Sequence, residues 1–287
     1  MKYLRHVLKE SKYEVFPGVY THLNPDAAKK VLTPYKEIIL KNSDIKIYRG
    51  MGIGTKFPED FLFGEGSKIV RKSANTTNFY TNMMSHMLPK WKPFPRRDNS
   101  FICSSDFYRA HSYGGGYGGD DGTFIGIPLE NQLIAVCPEE DLWDSFADKI
   151  KKYFKNSSGY TSVLNTVIDD LDSEYIKIGL DDYTPEKYNM FFKKATKLLK
   201  TPNESLIDFM VGYSGLKSLA LYIQQSGKSL YDVVEDILDP KKFGLMNVQE
   251  YMTKQRNFKN NEVWLTGKVL FIKYERFAEA LAFVEKL

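Results

Sequence analysis

IKIYRGMGIGT, residues 45–55, is a short β-branched run that ends on an arginine and passes at once into glycines. The run reads as a strand, with Arg49 at its end and Gly50 directly after it. A cation at a strand end is more often a surface ion pair than a working residue, so its meaning rests on what else the chain supplies.

The bounds are wide but firm. At 287 residues, with 43% hydrophobic and 14% aromatic content, the chain has ample material for a buried core. It is neither disordered nor fibrous in composition. No segment approaches the roughly 18 to 20 uninterrupted apolar residues of a membrane span, and the start MKYLRHVLKESKYEV is charged where a signal peptide needs an apolar centre. A soluble, cytoplasmic protein with no membrane partner is expected. Cys103 and Cys137 lie in the apolar runs FIC and LIAVC, the setting of buried small hydrophobes rather than of a disulfide or metal pair. Four scattered histidines and the absence of CxxC or HExxH spacing speak against zinc, and no metal is expected. The net charge of +4 permits an acidic or polyanionic partner without demanding one.

The texture of the chain changes twice. Asn24 as N-cap and Pro25 in the first turn open a helix through DAAKKVLTPYKEIILK, with a break at Pro34. Strand-like runs follow: IKIYR, SFICSS, TFIGIPL and NQLIAVC. Residues 160–250 read instead as helices. Thr184 and Pro185 open one whose face is Tyr188, Phe191, Phe192, Ala195, Leu198 and Leu199; Ser229 opens another with Leu230, Val233, Val234, Ile237 and Leu238. EVWLTGKVLFI, 262–272, returns to strand, with Thr266 and Gly267 as a turn between two β-rich halves, and YERFAEALAFVEKL closes as a helix. Strand signals on both sides of the helical block indicate one α+β domain over 1–287 with a helical insertion at about 160–250.

Three pieces stand in order: YRG at 48–50, FICSSDFYRAHSYG at 101–114, and NNEVWLTGKVLFI at 260–272. Together they resemble the R-S-E, cholera-toxin-like class of ADP-ribosyltransferases, in which a first-strand arginine, a serine-containing strand leading into a helix and a late glutamate opening a strand form the site. Ser104, Asp106, Ala110 and Tyr113 keep the rhythm of the family's serine motif, with Ser105 competing for the serine role; aligned on Asp106, the family's first serine falls on Ile102. Asn260, Asn261 and Glu262 stand where the family has Glu or Gln, any residue, then Glu. The resemblance implies a core of two small packed β-sheets with flanking helices, NAD as substrate, and transfer of ADP-ribose to a macromolecular acceptor, protein or nucleic acid. It equally admits an NAD glycohydrolase of the same fold, or a silent member that binds a partner.

The chemistry explains the residue types. Breaking the nicotinamide–ribose bond builds an oxocarbenium-like charge on the ribose, as in glycoside hydrolysis. The resemblance makes Glu262 the carboxylate that stabilises this charge through the 2′-hydroxyl, Arg49 the ligand of phosphate or ribose oxygens, and Ser104 the residue that holds both in register. Gly50 would let backbone approach the dinucleotide closely. Asn260 is the candidate for positioning the acceptor.

Other stretches are less specific. RKSANTTNFYTNMM, 71–84, offers Asn75, Asn78 and Tyr80 as dinucleotide contacts, against the reading of a capped helix. KWKPFPRR, 90–97, mixes cations with aromatics that suit bases or phosphate, and is equally a basic loop. GGGYGGDDG, 114–122, lacks the Gly-Lys-Ser/Thr of a phosphate loop and reads as a mobile loop. His111 reads as a packed or hydrogen-bonded residue, and EEDLW, 139–143, as a helix start. Lys193, Lys194, Lys197 and Lys200 form a basic strip on the outer face of the first helix of the insertion, either a target-selecting surface or a solvated face.

Overall fold

The computed structural model describes residues 19–51, 61–71, 78–114, 122–154, 160–180 and 182–287. The chain divides into two compact units, one from Met1–Asn75, Pro93–Glu140 and Phe243–Leu287, the other from Thr76–Lys92 and Asp141–Lys242.

The first unit holds the strands found among the described residues: β1 (Tyr20–Leu23), β2 (Tyr48–Gly50), β3 (Phe61–Glu65), β4 (Phe101–Ser104), β5 (Thr123–Pro128), β6 (Leu133–Val136), β7 (Gly244–Asn247), β8 (Glu262–Leu265) and β9 (Lys268–Lys273). They run antiparallel in the order β1-β3-β9-β5-β2-β4-β8-β6-β7. The expected mixture of helix and strand is present. The expected pair of sheets is instead one hydrogen-bonded sheet, because three-residue β2 uses both of its edges. Tyr48 pairs with Ile125 of β5 on one side and with Ser104 of β4 on the other, and the β4 side of that junction is a single residue pair.

Thr266 and Gly267 do not close a hairpin. The strands on either side leave the turn for different places, with β5, β2 and β4 between them. Gly267 donates its N–H to the Gln132 side chain and accepts from Gly66 N–H, so side chain and backbone of other segments hold the crossover where a strand partner would. β5 and β8 are buried along their whole length, and Phe101, Phe124, Ile127, Val263, Leu265 and Leu270 fill the core. Each such side chain contributes about 1.5–3 kcal/mol by leaving water.

The helix Pro25–Leu32 begins where the sequence indicates, with Asn24 Oδ1 accepting from Ala27 N–H at 2.9 Å. Pro34 falls in a 3₁₀ turn, Thr33–Tyr35, before the helix Lys36–Lys41. The closing helix Phe277–Glu285 follows a 3₁₀ turn at Tyr274–Arg276; its Phe283 ring meets Phe61, and Lys36 Nζ donates to Glu285 carbonyl at 2.7 Å.

The second unit is helical. Thr184 caps Pro185–Lys200, which buries Tyr188, Phe191, Phe192, Ala195 and Leu199 and leaves Leu198 half-buried. Ser229 and Asp232 form a reciprocal capping box on Leu230–Ile237. Phe79, from the Thr76–Lys92 segment, stacks on Tyr188 with ring centroids 5.3 Å apart. The unit is therefore wider at its start than the insertion expected at 160–250, and it ends earlier. Strand β7 and the helix Val248–Lys254 belong to the sheet unit because β7 pairs with β6. The acidic run EEDLW does not itself start a helix: Asp141 Oδ1 accepts from Trp143 N–H in a turn, and a 3₁₀ turn, Asp144–Phe146, precedes the helix Ala147–Tyr153. No helix among the described residues is long and apolar enough to cross a membrane.

Candidate functional site

Strands β2, β4 and β8 carry the three sequence motifs, and they are consecutive in the middle of the sheet. Tyr48 pairs with Ser104, and Ser104 pairs with Glu262. One row of backbone therefore crosses all three motifs, and directly paired residues share a face, so Ser104 and Glu262 are cross-strand neighbours.

Glu262 is a carboxylate at the start of a strand buried along its length, a position charged residues occupy only when paired. Its Oε1 accepts from Arg97 Nε at 3.1 Å and from Trp264 Nε1 at 2.6 Å, and its Oε2 accepts from Arg97 Nη2 at 3.4 Å. Burial pushes its pKa up, but the Arg97 charge and hydrogen bonds, the Trp264 indole and the more distant Arg71 outweigh that and hold it below the ordinary glutamate value. Glu262 is thus an ionised, oriented group.

The two serines have different jobs. Ser104 Oγ accepts from Asp106 N–H at 3.0 Å, shaping the turn into the helix Phe107–Tyr113, whose N-cap is Asp106 through Arg109 N–H. Ser105 exchanges two bonds with Asn261, its Oγ accepting from Asn261 N–H and its own N–H donating to Asn261 carbonyl, both at 2.9 Å. Ser105 pins the residue before Glu262, while Ser104 lies opposite the glutamate itself.

Arg49 is buried. Its Nε donates to the Tyr20 hydroxyl at 2.9 Å, its Nη1 to Ile102 carbonyl at 2.6 Å, and its guanidinium lies 5.6 Å from the centre of the Phe101 ring. Phe101 is three positions before Ser104 and so on the opposite pleat face of β4. These contacts make Arg49 a brace between β1 and β4. Gly50 has a different reason from the one expected: a Cβ there would stand 1.9 Å from Ala110 carbonyl oxygen and 2.5 Å from Gly114 nitrogen. Helix backbone, the Phe107–Tyr113 segment, approaches this glycine.

Asn260 Nδ2 donates to Glu140 Oε2 at 2.6 Å, and Glu140 Oε1 lies 3.6 Å from Arg109 Nη2. Asn260 Oδ1 is buried without a partner among the described residues. His111 is packed, stacked on Phe107 with Nδ1 3.2 Å from Thr123 Oγ1. Neither Cys103 nor Cys137 is in a disulfide, and both are buried; burial pushes the Cys103 thiol up to about 12, which removes it as a nucleophile.

No protein-family model, curated protein or solved structure matches the chain. Asn75 lies outside the described residues, as do 115–121 of the glycine-rich loop. Asn78 precedes the helix Phe79–Asn82 without capping it through its side chain. Tyr80, expected to contact a dinucleotide, is a core residue of the helical unit, edge-on to Phe79 and Trp143, because the helix Phe79–Asn82 buries that face.

Arg97 and Trp264 are the site residues that motif reading passes over. Arg97 ends the basic stretch KWKPFPRR, just ahead of β4. Trp264 has a plainer signal: it is two residues after Glu262 in a strand, hence on the same face.

Proposed function

We propose that the chain is a mono-ADP-ribosyltransferase with an ADP-ribosyltransferase-like core, cleaving NAD at the nicotinamide–ribose bond and passing ADP-ribose to a macromolecular acceptor, protein or nucleic acid. The observation that carries this reading is the row Tyr48, Ser104, Glu262 across three adjacent central strands. Motifs separated by more than half the chain converge on one buried, ionised carboxylate.

In the reaction the C1′–nitrogen bond of the nicotinamide ribose breaks and nicotinamide leaves with the electron pair. The acceptor's lone pair forms the new bond to C1′, and its proton passes to solvent. Glu262 accepts a hydrogen bond from the 2′-hydroxyl, an interaction that strengthens as positive charge grows on the ribose. Ser104 and Ser105 hold the glutamate's strand in place, and Arg49, beside Phe101 on the opposite pleat face, braces the strands from behind. Water as acceptor would give an NAD glycohydrolase of the same core.

A second reading, a silent scaffold that binds a partner, draws on one observation: Arg97 already occupies the Glu262 carboxylate. Incubation with NAD labelled in the adenylate, with and without cell lysate, separates the three. Label on protein or nucleic acid supports the transferase, free ADP-ribose with nicotinamide supports the hydrolase, and intact NAD supports the scaffold.

A further inference from the structure

Glu262 is held by two side chains that the chemistry above does not use. Oε1 receives two donors, Arg97 Nε at 3.1 Å and Trp264 Nε1 at 2.6 Å, whereas Oε2 receives one long contact, 3.4 Å from Arg97 Nη2. A carboxylate oxygen offers about two acceptor sites. Oε1 is therefore filled and Oε2 keeps capacity for one more donor. Both partners are themselves anchored. Arg97 lies in the 3₁₀ turn Arg97–Asn99 just before β4 and is buried, and Trp264 is a fully buried residue of β8.

We propose that Arg97 and Trp264 are positioning residues that clamp Oε1 of Glu262 and so present Oε2 as the oxygen that takes the substrate's hydroxyl. The proposal rests on the transferase or hydrolase reading for the identity of that hydroxyl, but the clamp is a property of the chain alone. A side-on arginine fixes the plane of the carboxylate, and the indole N–H fixes which oxygen keeps an open acceptor position. The charged and titratable groups acting on the carboxylate are Arg97, Arg71 and Cys103, with Arg49 acting in turn on Cys103; Glu139 reaches Glu262 through its backbone carbonyl, which accepts from Glu262 N–H at 3.2 Å. With the cations dominant, the clamp also keeps Glu262 ionised.

The test uses Trp264→Phe, Arg97→Lys and Arg97→Gln in the full chain, read in two ways. In NAD turnover, kcat falls about 10- to 100-fold in Trp264→Phe and Arg97→Lys with KM changed little, and in Arg97→Gln the acidic limb of the pH profile moves to higher pH. The second readout needs no turnover. By carbon-13 NMR, the wild-type Glu262 carboxyl stays ionised through the ordinary glutamate range and the Trp264 indole proton is shielded from exchange. An Arg97→Gln carboxyl that titrates at higher pH supports the clamp. Wild-type Glu262 titrating in the ordinary range, or an indole proton exchanging freely, overturns it whether or not any variant folds. If wild-type protein leaves NAD intact while the NMR result holds, the enzymatic reading fails and the clamp stands.

Discussion

Arg97 and Glu262, 165 positions apart in the chain, meet as a buried ion pair, with Nε 3.1 Å from Oε1 and both side chains at most 10% exposed. Removing one member leaves the other charged and buried, which typically costs about 3–5 kcal/mol, whereas replacing both with apolar groups is often close to neutral. Arg97→Met should therefore lower the unfolding free energy by about 3–5 kcal/mol in urea melts, and Arg97→Met combined with Glu262→Leu should recover much of that loss. Additive losses would mean that the pair is not coupled.

The same pair sets a pH dependence. The folded pKa of Glu262 is depressed, so its contribution to stability is fully present above the ordinary glutamate value and is lost as pH falls through the folded value. The stability gap between wild type and Glu262→Gln should be constant above the ordinary glutamate range and close as pH falls through the depressed folded value. Thermal melts across that range check it, and a gap that widens on acidification would reverse the sign.

Arg49 supports the fold, and any ligand only through the strands it braces. Arg49→Ala leaves the Tyr20 hydroxyl and the Ile102 carbonyl without the bonds they now share with the guanidinium, at a cost of about 1–3 kcal/mol. The expected outcome is a lower melting temperature together with weaker NAD binding by calorimetry. Arg49→Lys should recover little of either, since an ammonium cannot reproduce two fixed donors. Unchanged NAD affinity in a folded Arg49 variant would leave the residue a purely structural brace.

How much of this was legible depends on range. Local signals read through: Asn24, Thr184 and Ser229 cap the helices they were expected to cap, and the apolar face from Tyr188 to Leu199 is buried but for half-buried Leu198. Pairing did not, because strand order is set by partners far away in sequence. Thr266 and Gly267 have hairpin chemistry, yet β8 and β9 find other neighbours. FLFGE, the segment of β3, carries no β-branched residue and is interrupted by Gly64, which weakens its strand signal, and Gly50 reads as room for a ligand when the approaching backbone comes from Ala110. At the site the order of Arg49, Ser104 and Glu262 was readable, while the counter-charge was hidden in Arg97, one cation of a basic run whose other members carry no such role.

The lysine strip is an outer face in the structure: Lys193, Lys194, Lys197 and Lys200 are all exposed on Pro185–Lys200. Changing the four to glutamate should leave the protein folded by circular dichroism and spare NAD hydrolysis, while reducing modification of an acceptor supplied in lysate. Equal loss of both activities would make the strip a structural support, and no loss in either would make it ordinary surface.

The central claim is that Glu262 stabilises the developing charge on the ribose. Its most direct test is nicotinamide release from NAD by wild type and by Glu262→Gln at neutral pH, with both proteins shown to be folded. Wild type should release nicotinamide, and the variant should be slower by about 10²-fold or more, at least about 2.7 kcal/mol of transition-state stabilisation. Equal rates in the two folded proteins, or no release by either, would contradict the account.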